Sequence, residues 1–230
     1  MKILFSIILF SSILPALWSA DRKAALRYDF ADPVSLKKSW EFHGAVFMVP
    51  RTVFRVENIP SALNGKALVV EADSASGVLM TDPKVDLRRN PVMRWRWRVV
   101  KKLDLPSGVS DPDDQVAVLY IGDGTMLRQK CIGYRWEHNT AIGFRRKILY
   151  AGGMMNVEAE CIRNRKAKLN EWIVEERNVL VDFIKAYKRF PGGYFVLGVG
   201  ANSQYSKSRT RVEIDYIEFL PRKKSPDGKK

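Results

Sequence analysis

Residues 94–98 read Arg-Trp-Arg-Trp-Arg, and their types and spacing are the first place where the chain offers chemistry. Side chains of a strand alternate between its two faces. Arg94, Arg96 and Arg98 therefore share one face, and Met93, Trp95, Trp97 and Val99 share the other. The two tryptophans make the second face a core face, because burying side chains of that size is strongly stabilising. The three guanidiniums stand roughly 6.5–7 Å apart on the first face. Guanidinium grips carboxylate, sulfate or phosphate with two parallel hydrogen bonds, so one reading is a ladder for an anionic polymer. The other is a cross-strand ion-pair ladder. Three acidic stretches have the matching alternation: Glu158 and Glu160, Glu213 and Asp215, and Glu71 and Asp73.

The next chemistry-bearing cluster is Asp111, Asp113 and Asp114, three carboxylates in four residues around Pro112. Carboxylate oxygens suit Ca²⁺, and a turn built by Asp beside Pro explains the same residues without an ion. The spacing is not that of an EF-hand loop, and no other cofactor is implied. His43 and His138 are the two histidines; each sits beside aromatic residues and reads as a turn or packing residue as readily as a base. The chain contains no nucleophile elbow, no paired-histidine metal motif and no phosphate loop, so an enzyme is not identified. Cys131 and Cys161 are either a disulfide permitted by an oxidising compartment or two small buried residues.

The elements that must position these groups are mostly strands. Strand-like segments, alternating or continuously apolar, read at 52–56, 66–72, 76–82, 91–99, 116–121, 131–137, 144–150, 156–161, 172–178, 194–201 and 211–220, with further strands near 40–42 and 45–49. Asn64-Gly65 and Gly122-Asp123-Gly124 supply turns. One helix is expected over 181–190, where Phe183, Ala186, Tyr187 and Phe190 repeat at helical spacing before Pro191. Many short strands with one helix predict an all-β fold, an antiparallel β-sandwich or jelly roll.

The 39 Lys and Arg against 25 Asp and Glu give a formal charge of +14, which draws polyanions. The first twenty residues carry one Lys, an apolar run and small residues after Pro15, as a secretory signal peptide does. The run falls short of a spanning helix. Residues 1–20 are therefore expected to be removed, 21–220 to form a single β-sandwich domain, and 221–230 to be a disordered basic tail. The expected location is periplasmic or secreted, without nucleic acid as partner and without a membrane span after cleavage, and the chain is expected to be a monomer.

Four segments together resemble an exported bacterial family, domain of unknown function 3047. They are 68–79 (LVVEADSASGVL), 91–99 (PVMRWRWRV), 113–120 (DDQVAVLY) and 172–190, which holds Trp172, Glu176, Arg177, Asn178 and Asp182 before an aromatic helix. The resemblance spans 28–220 and implies a jelly-roll or galactose-binding-like sandwich, a scaffold often used for glycans. By family position the polar residues of a site would be Arg96, Arg98, Asp113, Asp114, Glu176, Asn178 and Asp182. A structural role competes for each, with Arg98 on an aspartate and with Asn178 and Asp182 fixing the strand-to-helix turn. The family's acidic loop after Gly198 is replaced here by Ala201-Asn202-Ser203-Gln204-Tyr205-Ser206-Lys207.

The functional expectation is an exported, non-catalytic binding module for a glycan or another anionic envelope polymer. Its candidate ligand-binding residues are Arg94, Arg96, Arg98, Asp113, Asp114, Glu176, Asn178 and Asp182. The alternatives are a polysaccharide lyase or hydrolase on the same scaffold, and a structural envelope protein meeting anionic lipid.

Overall fold

Alternating apolar residues leave each strand with one face to bury, and two sheets laid face to face bury both. In the computed structural model, which describes residues 22–222 apart from 45, 107, 109, 110, 126, 127, 193 and 194, the order is β1 (Leu26–Tyr28), α1 (Pro33–Ser39), β2 (Glu41–His43), β3 (Val53–Asn58), β4 (Lys66–Asp73), β5 (Ser76–Thr81), β6 (Val92–Lys101), β7 (Gln115–Asp123), β8 (Gln129–Trp136), β9 (Arg145–Tyr150), β10 (Met155–Arg163), β11 (Ile173–Asn178), α2 (Val179–Tyr187), β12 (Phe195–Asn202) and β13 (Arg209–Leu220). The expected signal peptide, Tyr194 and residues 223–230 of the expected tail lie outside the described residues. No described helix is long and apolar enough to cross a membrane.

The chain forms a jelly-roll-type β-sandwich. One sheet has the order β11-β6-β13-β4-β3, with β1 added against β13, and the other runs β2-β5-β12-β7-β8-β10-β9. Trp95 and Trp97 are fully buried between the sheets, as alternation requires. Their rings meet edge to face at 5.6 Å, and across the interface Trp95 meets Tyr134 at 5.5 Å and Trp97 meets Trp136 at 5.4 Å. Aromatic pairs in these geometries add to the plain burial of area.

Four expectations need correction. The sandwich is not wholly antiparallel, because β10 pairs parallel with β8. The chain leaves β8, runs down the sheet edge as β9, and returns as β10 between the two, antiparallel to β9. There are two described helices rather than one. The Asp32 carboxylate caps α1 by accepting from Val34 N at 2.9 Å, and Pro33 opens its first turn. The later helix starts two residues sooner and ends three sooner than expected, since Asn178 caps it and Lys188 turns left-handed at φ 55°. Of the strand expected over 45–49, Ala45 lies outside the described residues, and 46–49 instead make a turn at Phe47 and Met48, both of which are exposed.

The two cysteines are free. Cys131 lies opposite Val157 and Cys161 opposite Arg135 on the parallel pair, so the thiols are out of register for a bridge.

Candidate functional site

The outer face of the six-stranded sheet carries the arginine ladder. Arg94 Nε lies 2.5 Å from Glu218 Oε1, Arg96 Nη1 2.5 Å from Asp215 Oδ2, and Arg98 Nε 2.6 Å from Glu213 Oε2. The Trp172 ring covers Arg96 and Arg98 at 4.7 and 4.6 Å, a cation–π cap. Arg211 extends the pattern to Glu57, Glu71 and Glu213, Arg55 shares Glu57 and Glu71, and Arg27 meets Glu218. The arginines hold the Glu57 and Glu71 carboxyls below their usual range, against the opposing effect of burial: hydrogen bonds from Arg211 lead at Glu57, and from Arg55 at Glu71.

Of the three acidic partners alternation offered, the β13 pair is the one used by the ladder. Alternation did not offer Glu218. A register shift between Ile214 and Tyr216 puts a bulge at Asp215, which resets the parity of the strand. Val212, Ile214, Ile217 and Phe219 all reach the core, and Glu213, Asp215 and Glu218 all come to the outer face. The uneven spacing of those four apolar residues is the sequence signal that could have revealed it.

The outer face of the seven-stranded sheet is different. It holds a groove of about 770 Å³ whose lining spans β5, β12, β7, β8, β9 and β10. Its centre is Tyr120, which pairs across β12 with Gly198 and across β8 with Gly133. A Cβ on Gly133 would stand 3.1 Å from Tyr120 Cε1, and one on Gly198 would stand 3.4 Å from its Cβ. The two glycines leave the space in which the ring lies down on the sheet. At one end Ser76, Asn202 and Gln115 stand side by side on β5, β12 and β7. Gln204 and Tyr205 form the lip above them.

A buried polar network holds this end. Arg135, 1% exposed, donates from Nη1 to Asp113 Oδ1 at 2.9 Å and from Nη2 to Gln115 Oε1 at 2.5 Å. Its Nε lies 2.9 Å from Glu137 Oε1, and Arg146 Nη2 approaches the same carboxylate at 2.7 Å. Tyr150 donates its phenol to Asp113 Oδ1 at 3.2 Å. Asn202 Nδ2 donates to Asp113 O at 2.7 Å. The fully buried Asp114 accepts from Tyr205 N at 3.2 Å and Ser206 N at 2.7 Å, so its carboxylate fixes the turn that presents Tyr205. Burial pushes the Tyr120 phenol up to about 12 and raises that of Tyr150 as well. Both are neutral hydrogen-bonding phenols at ordinary pH, not bases.

Of the eight candidate residues, Asp113 lines the groove and Asp114 supports its lip. Arg94, Arg96 and Arg98 are on the opposite sheet, paired as above. Glu176 meets Arg22 at 2.6 Å, Asn178 caps α2 by accepting from Val181 N at 3.1 Å, and Asp182 accepts from the Tyr134 phenol at 2.7 Å. The structure does not bring these three to the groove. Gln115, Tyr120, Tyr150 and Tyr205 were missed as a group, because their convergence depends on register between strands far apart in sequence.

The three carboxylates weighed for calcium diverge. Asp111 accepts from the backbone N–H groups of His138, Asn139 and Thr140 and from the Thr140 hydroxyl at 2.6 Å, and these bonds outweigh burial to keep its carboxyl low. Asp113 and Asp114 take the partners given above. Among the described residues no three His, Cys, Asp or Glu side chains gather as metal ligands. Burial lowers the His138 pKa, and His43 lines the groove with Nε2 3.7 Å from Glu41 Oε2.

The chain belongs to the family described as Protein of unknown function (DUF3047), whose model matches residues 39–218. Among curated proteins there is no match. Several solved structures match the chain at low identity. A conserved carbohydrate esterase from the Shiga toxin-encoding bacteriophage phi24B matches with 16% identity and a TM-score of 0.47, over 88% of this chain and 100% of that one. The family 11 carbohydrate-binding module of a Clostridium thermocellum cellulosomal cellulase matches with 6% identity and a TM-score of 0.45, over 90% and 99%. A xylan-binding domain from Paenibacillus barcinonensis matches with 10% identity and a TM-score of 0.41, over 89% and 99%. Likenesses at this level say nothing of ligand or activity.

Proposed function

We propose that this member of the family is an exported, non-catalytic binding module, and that the groove on its seven-stranded sheet receives a glycan chain. Export rests on the signal-like composition of residues 1–20. The observation that carries the binding reading is the groove itself, with neutral phenols and amides held by the buried Arg135 network. Sugar hydroxyls need donors and acceptors at fixed positions and an aromatic or apolar surface for the ring faces. Gln115, Asn202 and Gln204 supply the first, and Tyr205, 60% exposed, supplies the second.

An uncharged glycan suits the groove better than an anionic one. Its lining includes Lys38 but also Glu41, Asp82 and Asp113, so the chain's +14 charge is not focused there. The ladder arginines face carboxylates of their own sheet and are assigned to its stability.

Affinity electrophoresis through gels holding neutral or acidic polysaccharides, at low and high salt, tests this reading. The expected result is retardation by a neutral polysaccharide that survives salt and weakens about tenfold or more in Tyr205→Ala. Retardation by acidic polymers alone, abolished by salt and unchanged in Tyr205→Ala, would overturn it.

A further inference from the structure

The two ends of the groove differ in polarity. Ser76, Asn202 and Gln115 stand in one row across β5, β12 and β7. From Asn202 back to Val196 along β12 is about 20 Å of extended chain. Over that length the outer face changes from amides to a surface in which apolar groups predominate, with Gln129 and Tyr150 beside Met155. Met80 pairs with Gly198, Val196 with Gly122, and Met155 with Gln129, and Met154 follows the turn out of β9. All four apolar side chains line the same groove. None is fully buried, and Met154 is 41% exposed. The charged groups at this end, Lys38, Glu41 and Asp82, belong to α1, β2 and the chain just after β5, on one flank.

A sugar chain alone gains little from that second half. Methionine side chains are flexible and polarizable, and mould to irregular apolar partners. A mainly apolar stretch left open beside a polar one matches a ligand with the same division. We infer that the groove takes a glycolipid-like amphiphile, its sugar head at Gln115, Asn202 and Tyr205 and its alkyl chain along Met80, Val196, Met154 and Met155. The inference rests on the groove being the glycan site, and adds that the glycan carries an apolar chain.

The probes are hexyl, octyl and decyl maltoside, each below its micelle concentration, titrated calorimetrically into the full chain alongside the polysaccharide gels. Affinity is expected to rise about tenfold for each two carbons added. The double variant Met80→Ser/Met155→Ser, checked to be folded by circular dichroism, should flatten that series while keeping the polysaccharide retardation. Tyr205→Ala should weaken every member equally and leave the slope intact. Polysaccharide retardation with a flat alkyl series would overturn the amphiphile inference and leave the glycan reading standing. A series that climbs as steeply in the double serine variant would place the chain elsewhere and also overturn it. Binding of neither the alkyl series nor any polysaccharide would bring down both.

Discussion

The two outer faces of the sandwich use arginine in opposite ways. On the six-stranded sheet Arg94, Arg96 and Arg98 lie on the surface at 13–19% exposure, and each meets a nearly buried carboxylate. The face is a closed lattice of charge. On the seven-stranded sheet Arg135 is sunk below the surface, and the groove above it is lined largely by phenols, amides and thioethers, with Lys38, Glu41, Asp82 and Asp113 among them. Surface charge that is satisfied within its own sheet serves the fold. Charge placed under a groove orients the neutral groups above it.

This contrast breaks first at Arg135. Arg135→Met leaves Glu137 and Asp113 without their central partner. It should cost about 3–5 kcal/mol by denaturant unfolding. Arg96→Ala, on the half-shielded surface, should cost about 1–2 kcal/mol. Equal losses would mean the two faces are energetically alike.

The response to pH should separate the faces next. Glu57 and Glu71 have folded pKa values below 4.5, so their contribution is present above that pH and is lost as pH falls through the folded values. The phenol of Tyr120 is raised from 10.0 to about 12. Its contribution is present below pH 10 and is lost as pH rises through 12. Melting temperature against pH should therefore lose its acid limb in Glu57→Gln/Glu71→Gln and soften its alkaline limb in Tyr120→Phe. If either variant alters the other's limb, the assignment of the two faces is wrong.

Much of this was legible in the sequence. The alternation at 93–99 identified the tryptophan core face and the arginine face, and β13 was among the acidic strands offered. Register was not legible. The bulge at Asp215 that brings Glu218 to the ladder is fixed by pairing with β6, and its one local trace is the uneven spacing of Val212, Ile214, Ile217 and Phe219. The groove suffered the same way. Gln115 and Asn202 are neighbours only because β7 and β12 pair, and the ring of Tyr120 lies flat only because glycines flank it on two other strands. Asp113 and Asp114 were picked out by family position, but their roles, one on Arg135 and one under the Tyr205 turn, come from contacts with distant parts of the chain.

A smaller effect sharpens the comparison further. Tyr205→Ala should leave the melting temperature within about a degree, since an exposed lip residue contributes little to folding, while still weakening ligand binding.

The central claim is that ligand binds the groove face and not the ladder face. The most direct measurement compares Tyr205→Ala with the charge-preserving triple variant Arg94→Lys/Arg96→Lys/Arg98→Lys, both folded, in the same polysaccharide gels. Loss of retardation in the tyrosine variant and its retention in the triple lysine variant is the predicted result. Retention in the tyrosine variant with loss in the lysine variant would return the site to the arginine ladder and contradict the account.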